Sequence, residues 1–319
     1  MLAITEQSLD DVMGACISHL LRAGEVISTT RGLSTELRGV SLELTNPRAR
    51  MSRSASRGRL FSALGELTWY LSGSADPEHI SYYLPKYSEN VGDFSGSYGP
   101  RLFGPGRGAQ VAGVIDQLRA SPTTRKAVVQ LFDRSDLLGN AKDVPCTCTL
   151  QFFVRDSKVE LVVYMRSNDV MFGLLHDVFS FTFLQELIAS TLSLEIGTYK
   201  HVVGSLHLYS DQEDEARAFL KEGAFMDTPM PAMPKTDPWA MVAWILSLER
   251  SLRASGSAPI DEHAPDYWNQ LALVLRSWSA YKTQDLQMLK SLQIQLEGSP
   301  YAASVRDRMH ILEAQRGSK

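Results

Sequence analysis

Apolar positions first recur at helical spacing just after the start of the chain. Ser8 is placed to cap a helix in which Leu9, Val12, Met13, Cys16, Ile17, Leu20 and Leu21 share one face. Residues 36–44, ELRGVSLEL, alternate loosely and predict a strand, with TTRGLST as a polar loop before it. The loop holds Arg31. A second helix is expected over about 60–72, with Leu60, Leu64, Leu67 and Leu71 along one side. A shorter one spans 108–120 through Val111, Val114, Ile115 and Leu118. AVVQLFD reads as a strand after the turn SPTTRK. Residues 149–165 predict a hairpin around Asp156-Ser157-Lys158, and 166–176 a loop. The run 178–194 is apolar on every side, which places a helix at the centre of the molecule. Gly197 is expected to end it, and 201–209 to form a further strand. Residues 85–107 are rich in Gly, Pro, Ser, Asn and Asp and read as a long loop, of a length that often carries function.

The character changes near residue 227. DTPMPAMPKTDP is a Pro-rich connector. Beyond it the pattern predicts helices over 238–254, 265–281, 284–297 and 301–315. The expected division is a catalytic region, 1–235, and a helical extension, 236–319. No internal repeat stands out.

Composition narrows the class. A chain of 319 residues, 44% hydrophobic and 21% charged, can bury a substantial core. A net charge of −4 supplies no broad basic field, which argues against polymeric nucleic acid as a partner. No apolar run is long enough to span a bilayer, and MLAITEQSLDD lacks the pattern of a signal peptide. Three Cys do not make a disulfide framework, so a reducing, cytoplasmic setting is expected. The five arginines of 48–59 (Arg48, Arg50, Arg53, Arg57, Arg59) read mostly as a solvated basic loop.

Chemistry gathers between Asp143 and Asp211, where polar groups sit at the ends of apolar runs. Cys146 follows Pro145 and opens an apolar strand. Arg166, Ser167 and Asp169 end the antiparallel neighbour, and a guanidinium there favours the reactive thiolate. Cys148 has the same strand parity and reads as core. A CxC without a second Cys/His pair argues against zinc, and no metal is expected. Glu66 lies within a helix, where a Glu is ordinarily a solvated surface residue.

PCTCTLQFFV, YMRSND, the turn from Gly173 to Asp177, and GSLHLYSD together resemble the thymidylate synthase family. GELTWYLSG, GSYGPRLF and TTRKAVVQLFD extend the resemblance upstream, in family order and spacing, over about residues 8–235. It implies an α+β fold: a large mixed, bent sheet flanked by helices, paired with its copy in an obligate homodimer, here with an added C-terminal helical region. It implies that Cys146 is the nucleophile that adds to carbon-6 of a pyrimidine nucleotide. The one-carbon donor is then 5,10-methylenetetrahydrofolate. Glu66 matches the carboxylate of the proton relay, Asp169 the carboxylate at the pterin, and Tyr98 the tyrosine assisting proton removal at carbon-5. Arg31, Arg166 and Ser167 match phosphate ligands. Arg125 and Lys126 match a pair donated by the other subunit, and His207 and Tyr209 the pair holding a sugar hydroxyl.

The departures redirect the expected substrate. Synthases carry asparagine where this chain has Asp177, and the branch with Asp is the cytidylate hydroxymethylases. A carboxyl accepts from the cytosine amine and shares a proton with ring nitrogen-3, whereas an ionised one repels the uracil carbonyl. The family Trp facing the exocyclic methylene aligns near Leu84, and a smaller residue admits water. Helices replace the family's short C-terminal segment that shields hydride transfer. Lys126 replaces the second arginine and lacks its fork. Thr147 stands where a histidine is common, a departure that suggests no role; His176 adjoins Asp177 and either tunes its protonation or points into the core. The expected activity is 5-hydroxymethylation of CMP or dCMP, with ribose and deoxyribose both open. The alternatives are thymidylate synthesis from dUMP and a catalytically silent nucleotide- or RNA-binding protein.

Overall fold

A computed structural model describes residues 2–29, 31–52, 59–87, 93–104, 109–138, 143–223, 228–259 and 263–317. The N-terminal part holds β1 (Leu2–Glu6), α1 (Leu9–Ala23), β2 (Glu25–Thr29), β3 (Gly32–Leu44), α2 (Leu60–Leu71), α3 (Pro77–Tyr83), α4 (Tyr98–Phe103) and α5 (Gln110–Ala120). Then come β4 (Val128–Gln130), α6 (Arg134–Leu138), β5 (Thr147–Arg155), β6 (Lys158–Asp169), α7 (Gly173–Thr191), β7 (Glu195–Tyr209) and α8 (Glu213–Glu222). The C-terminal helices are α9 (Trp239–Ser255), α10 (Asp266–Lys282), α11 (Leu286–Gln295) and α12 (Ala302–Gly317).

Among the described residues the strands form one mixed sheet in the order β1-β3-β7-β6-β5-β4, with β2 also pairing β3. β6 and β7 run parallel, as do β1 and β3; the other pairs are antiparallel. The β5–β6 hairpin turns at Asp156 and Ser157, both in the left-handed region at φ 49° and 58°, which suits the twist of a tight hairpin. Pairing of β3 with β7 skips Gly39, whose φ is 67°, and its register partner Gly204. Past that point burial on β7 shifts from Tyr199, His201 and Val203 to Leu206 and Leu208. The far end of the strand, with His207 and Tyr209, is thereby re-aimed. A second irregularity lies between Thr147 and Thr149 on β5.

α7 is buried from Leu174 to Ser190, as its uniformly apolar sequence requires. Gln185, on its buried face, donates from Nε2 to Val159 O at 2.8 Å and Thr198 O at 3.1 Å. That satisfies carbonyls freed where β6 and β7 slip register between Val159 and Leu161. The C-terminal helices share this core: Trp268 packs edge-on to Phe183, and Trp278 stacks on Phe61 at 5.4 Å.

Several expectations change. Of TTRGLST, Thr29 ends β2 and Gly32 to Thr35 open β3, so the strand expected at 36–44 begins at Gly32. The loop expected at 166–176 shrinks to 170–172, because β6 runs to Asp169 and α7 starts at Gly173. Gly197 does not end the central helix; it lies inside β7. The long loop of 85–107 contains α4, and its residues 88–92 and 105–108 lie outside the described residues. The basic loop is not solvated where it matters most. Arg50 is fully buried and pairs with Glu186, to which Arg48 Nε also donates at 2.6 Å. Arg59 sits over the Phe172 ring, 4.2 Å from its centroid. Arg53 and Arg57 lie outside the described residues.

Candidate active site

Three helices and the segment before β5 converge beside the start of β5 and the ends of β6 and β7. α2 contributes Glu66, the first turns of α7 contribute Asp177, and the start of α4 contributes Tyr98. Cys146 immediately precedes β5. The register of β6 and β7 sets Ser167 beside Ser205 and Asp169 beside His207. The backbone N–H of Arg166 donates to Cys146 O at 2.9 Å. Its guanidinium wraps the same segment, Nε to Pro145 O at 2.9 Å and Nη2 to Val144 O at 2.8 Å. The strand ends thus bring Cys146 and Arg166 together, as their antiparallel reading requires.

Glu66 is not a surface residue. It is 6% exposed and accepts from Tyr70 Oη at 2.7 Å. Burial pushes its carboxyl up to about 7, against the lowering effect of that hydrogen bond. Asp177 is equally enclosed. Burial raises it well above the usual carboxylate range, and the Glu66 and Asp169 charges add to the rise. Among the described residues no cation shifts either acid, so the site favours the protonated form of both.

Asp177 is held by a chain of buried side chains. Asn168 Nδ2 donates to Asp177 Oδ2 at 2.7 Å. His201 Nε2 lies 3.1 Å from Asn168 Oδ1, and Tyr199 Oη lies 2.7 Å from His201 Nδ1. His201 is neutral, its pKa lowered to about 3 by burial. Since Asn168 Oδ1 only accepts, His201 carries its proton on Nε2 and accepts from Tyr199 at Nδ1. Sequence reasoning missed Tyr199, His201 and Asn168. Polar residues two apart on the buried face of a strand were the available signal for the first two.

Cys146 is half-buried, and burial raises its thiol pKa. Arg166 lowers it, but Asp177, Asp143 and Cys148 raise it again. The guanidinium thus favours the thiolate, as expected, while burial and the neighbouring groups work against it. Cys148 is not core. It lies at the β5 irregularity, where the two-residue alternation breaks, and is half-buried while Thr147 is fully buried. Thr147 acquires a role there. Its N–H and Oγ1 lie 3.1 Å and 3.0 Å from Tyr98 Oη, which anchors the tyrosine at the site. Tyr98 also stacks against Phe181 of α7. Tyr87, another residue the pattern did not single out, is coupled electrostatically to Glu66, Asp177 and Cys146.

Of the remaining candidates His207 is buried, Ser167, Asp169 and Tyr209 are half-buried and Arg31 is exposed. Arg31, in the β2–β3 turn, lies 5.2 Å from the centroid of the Tyr209 ring. That ring meets His207 edge-on at 4.9 Å, and His207 Nδ1 is 3.5 Å from Ser167 Oγ. Asp169 accepts from the backbone N–H groups of Met171 at 2.9 Å and Phe172 at 3.2 Å, fixing the turn into α7. Arg125 and Lys126 are not brought in. Both are exposed ahead of the edge strand β4, and their side chains make no hydrogen bond or ion pair with the cluster among the described residues. His176 is buried, its Nε2 2.9 Å from Ser62 Oγ, and ties α7 to α2. Among the described residues no group of acidic, His and Cys side chains is arranged to hold a metal ion, and no helix is long and apolar enough to cross a membrane.

A thiol, two carboxyls of raised pKa, an anchored tyrosine and a rim of Arg, Ser, His and Tyr suit covalent addition with proton transfer on a phosphorylated substrate. The family description "Thymidylate synthase" matches residues 54–237, more than half of the chain. Among curated proteins, the chain is similar to a deoxyuridylate hydroxymethyltransferase of Delftia phage PhiW-14, 28% identical over 235 residues, covering 68% of this chain and 65% of that protein. It is also similar to a deoxyuridylate hydroxymethyltransferase of Bacillus phage SP01, 30% identical over 216 residues, covering 61% and 55% respectively. The chain thus spans less than two thirds of either relative.

Proposed function

The chain belongs to the thymidylate synthase family, and from that premise we propose that it hydroxymethylates carbon-5 of a cytosine nucleotide, CMP or dCMP. The balanced reaction joins the nucleotide, 5,10-methylenetetrahydrofolate and water to give the 5-hydroxymethyl nucleotide and tetrahydrofolate, without net redox change. The half-buried Asp169 carboxylate fits a heterocycle with N–H donors, as a reduced pterin is. When bound, the folate supplies a one-carbon unit at the oxidation level of formaldehyde.

The chain's own residues do the rest. Cys146 adds to carbon-6, which makes carbon-5 nucleophilic. Tyr98, anchored by Thr147, assists proton removal at carbon-5. Glu66, titrating near neutrality, moves protons to and from water. Arg31, Arg166 and Ser167 take the phosphate, and His207 and Tyr209 the sugar. Leu84, half-buried where the family Trp aligns, leaves water its approach to the exocyclic carbon. Arg125 and Lys126 serve the site of a second copy. Mixing Arg125→Ala chains with Cys146→Ala chains then restores part of the activity, and no recovery after verified exchange refutes that sharing.

One observation carries the choice of base: Asp177, buried and raised in pKa, with Oδ2 committed to Asn168. A neutral carboxyl accepts from the cytosine amine and donates to ring nitrogen-3, a basic atom able to share the proton. Uracil has no such base. A second reading, deoxyuridylate as substrate, is favoured by the names of both phage relatives. A neutral Asp177 also has one donor and one acceptor for the uracil edge. Incubating the protein and folate separately with CMP, dCMP, UMP and dUMP, with products identified by mass, separates the two. A hydroxymethyl product from a cytosine nucleotide is expected; product from dUMP alone overturns the proposal.

A further inference from the structure

The helices beyond residue 238 have no part in the chemistry above. Their contact behind the site is nevertheless polar and directional. Glu249 of α9 is 1% exposed. Its Oε1 accepts from Arg253 Nε at 3.0 Å and from Tyr83 Oη at 3.2 Å. Its Oε2 lies 3.4 Å from His79 Nε2, which is also 3.1 Å from Thr68 Oγ1. Thr68 donates its own proton to Gly65 O at 2.7 Å. His79 therefore carries a proton on Nε2 and donates it to Thr68, with Glu249 Oε2 within electrostatic reach. Burial, helped by Arg253 and Arg250, lowers the His79 pKa to about 3 and keeps the ring neutral.

Two routes thus run from Glu249 to Gly65, the residue before Glu66. One passes through His79 and Thr68 to the Gly65 carbonyl. The other passes through the Tyr83 ring, which packs so closely on Gly65 that an added methyl group would overlap it. The same ring stacks with Trp278 of α10, 6.1 Å between centroids. Tyr83 also precedes Leu84, so one carboxylate braces both the helix that bears Glu66 and the segment that bears Leu84.

We propose that Glu249 is a positioning residue for the reaction, through which the C-terminal helices hold α2 and the Glu66 carboxyl in register with Asp177. The proposal rests on the reading that Glu66 moves protons. A buried carboxylate is a poor device for stability alone, since apolar packing of the same volume does as well or better. Its use here is directional, with both oxygens engaged. Glu249 faces Arg253 and Arg250 on its own helix and His79, Tyr82 and Tyr83 on α3, while Arg253 reaches Asp76 at 3.9 Å. Glu66 faces Tyr70 on α2, Asp177 on α7 and Tyr87.

The test compares full-length Glu249→Ala, Glu249→Gln, Tyr83→Phe and Glu66→Gln with wild type, assayed below their melting temperatures. Glu249→Ala is expected to lower kcat roughly 10- to 100-fold, as a displaced catalytic group does, and to move the limb of the kcat–pH profile set by Glu66. KM for the nucleotide stays within about twofold. Glu249→Gln, which still accepts from Tyr83, recovers most of the rate. A lower Tm for Glu249→Ala with unchanged kcat and pH profile overturns the proposal. If Glu249→Ala does not fold, Tyr83→Phe decides, because it removes one hydroxyl: a smaller, kcat-selective loss supports the proposal, and an unchanged kcat overturns it. Glu66→Gln keeps the failures apart. Full activity there defeats the reading of Glu66 itself, whereas an inactive Glu66→Gln beside a fully active Glu249→Ala defeats only the bracing role.

Discussion

Asp177 and Glu186 lie on the same helix and are 7% and 2% exposed, yet their surroundings are opposite. Burial raises Glu186, but Arg50 and Arg48 more than offset it and leave it below the usual carboxylate range. It also accepts from Met233 N–H at 3.1 Å. Asp177 has an amide and a second acid for company, and its pKa rises. Depth alone therefore does not set the state of a carboxyl; the partners do. Glu186 is an ionised junction between the loop at 48–50, the central helix and the connector at 233. Asp177 and Glu66 are pushed the other way, towards the protonated form.

The largest effect expected from this contrast is on turnover. Cys146→Ala abolishes it while nucleotide binding, measured by calorimetry, stays largely intact. Glu66→Gln lowers kcat by about 10²- to 10⁴-fold, the range for a lost general acid–base group. A rapid Cys146→Ala enzyme removes the covalent mechanism.

Next is stability at the ionised junction. Glu186→Ala leaves Arg50 buried and unpaired, at a cost of about 3–5 kcal/mol by denaturant unfolding, while kcat of the folded fraction changes little. A loss under 1 kcal/mol means that the two carboxyls are not different in kind.

A smaller effect has opposite signs at the two sites. The folded pKa of Glu66, about 7, lies above its ordinary 4.5, so the folded state binds the proton more tightly. The stability this confers is complete below pH 4.5 and is lost as pH rises through about 7. Glu66→Gln should flatten that decline, by on the order of 3 kcal/mol between those limits. Glu186 is shifted down, so its contribution is present above its ordinary value and falls away in acid. Equal slopes of Tm with pH for wild type and Glu66→Gln would contradict the burial of a titrating acid.

Much of this was legible in the chain, for physical reasons that differ by element. α2, α7, the β5–β6 hairpin and the C-terminal helices announce themselves because their apolar periods are long. β1 and β2, LAITE and EVIST, are too short to show alternation, and α4, YGPRLF, too short to show a helical period. The candidate residues were legible through resemblance, not through pattern: a Glu within a helix looks solvated until a tertiary neighbour covers it. Arg50 and Glu186 are 136 positions apart, and no local rule links them. Asn168, His201 and Tyr199 matter only through the pairing of β6 with β7, so their relay to Asp177 emerges with the register.

The most direct measurement is the ratio of kcat/KM for cytosine and uracil nucleotides carrying the same sugar, in wild type and Asp177→Asn. An amide rotates to accept from uracil nitrogen-3 and donate to its carbonyl; towards cytosine nitrogen-3 it offers only a weakly acidic N–H in place of a carboxyl proton that a basic nitrogen can take. The ratio should fall in the variant by roughly tenfold or more, the equivalent of about 1–3 kcal/mol for a proton-sharing hydrogen bond replaced by a neutral one. An unchanged ratio would mean that Asp177 does not read the base and would contradict the case for a cytosine nucleotide.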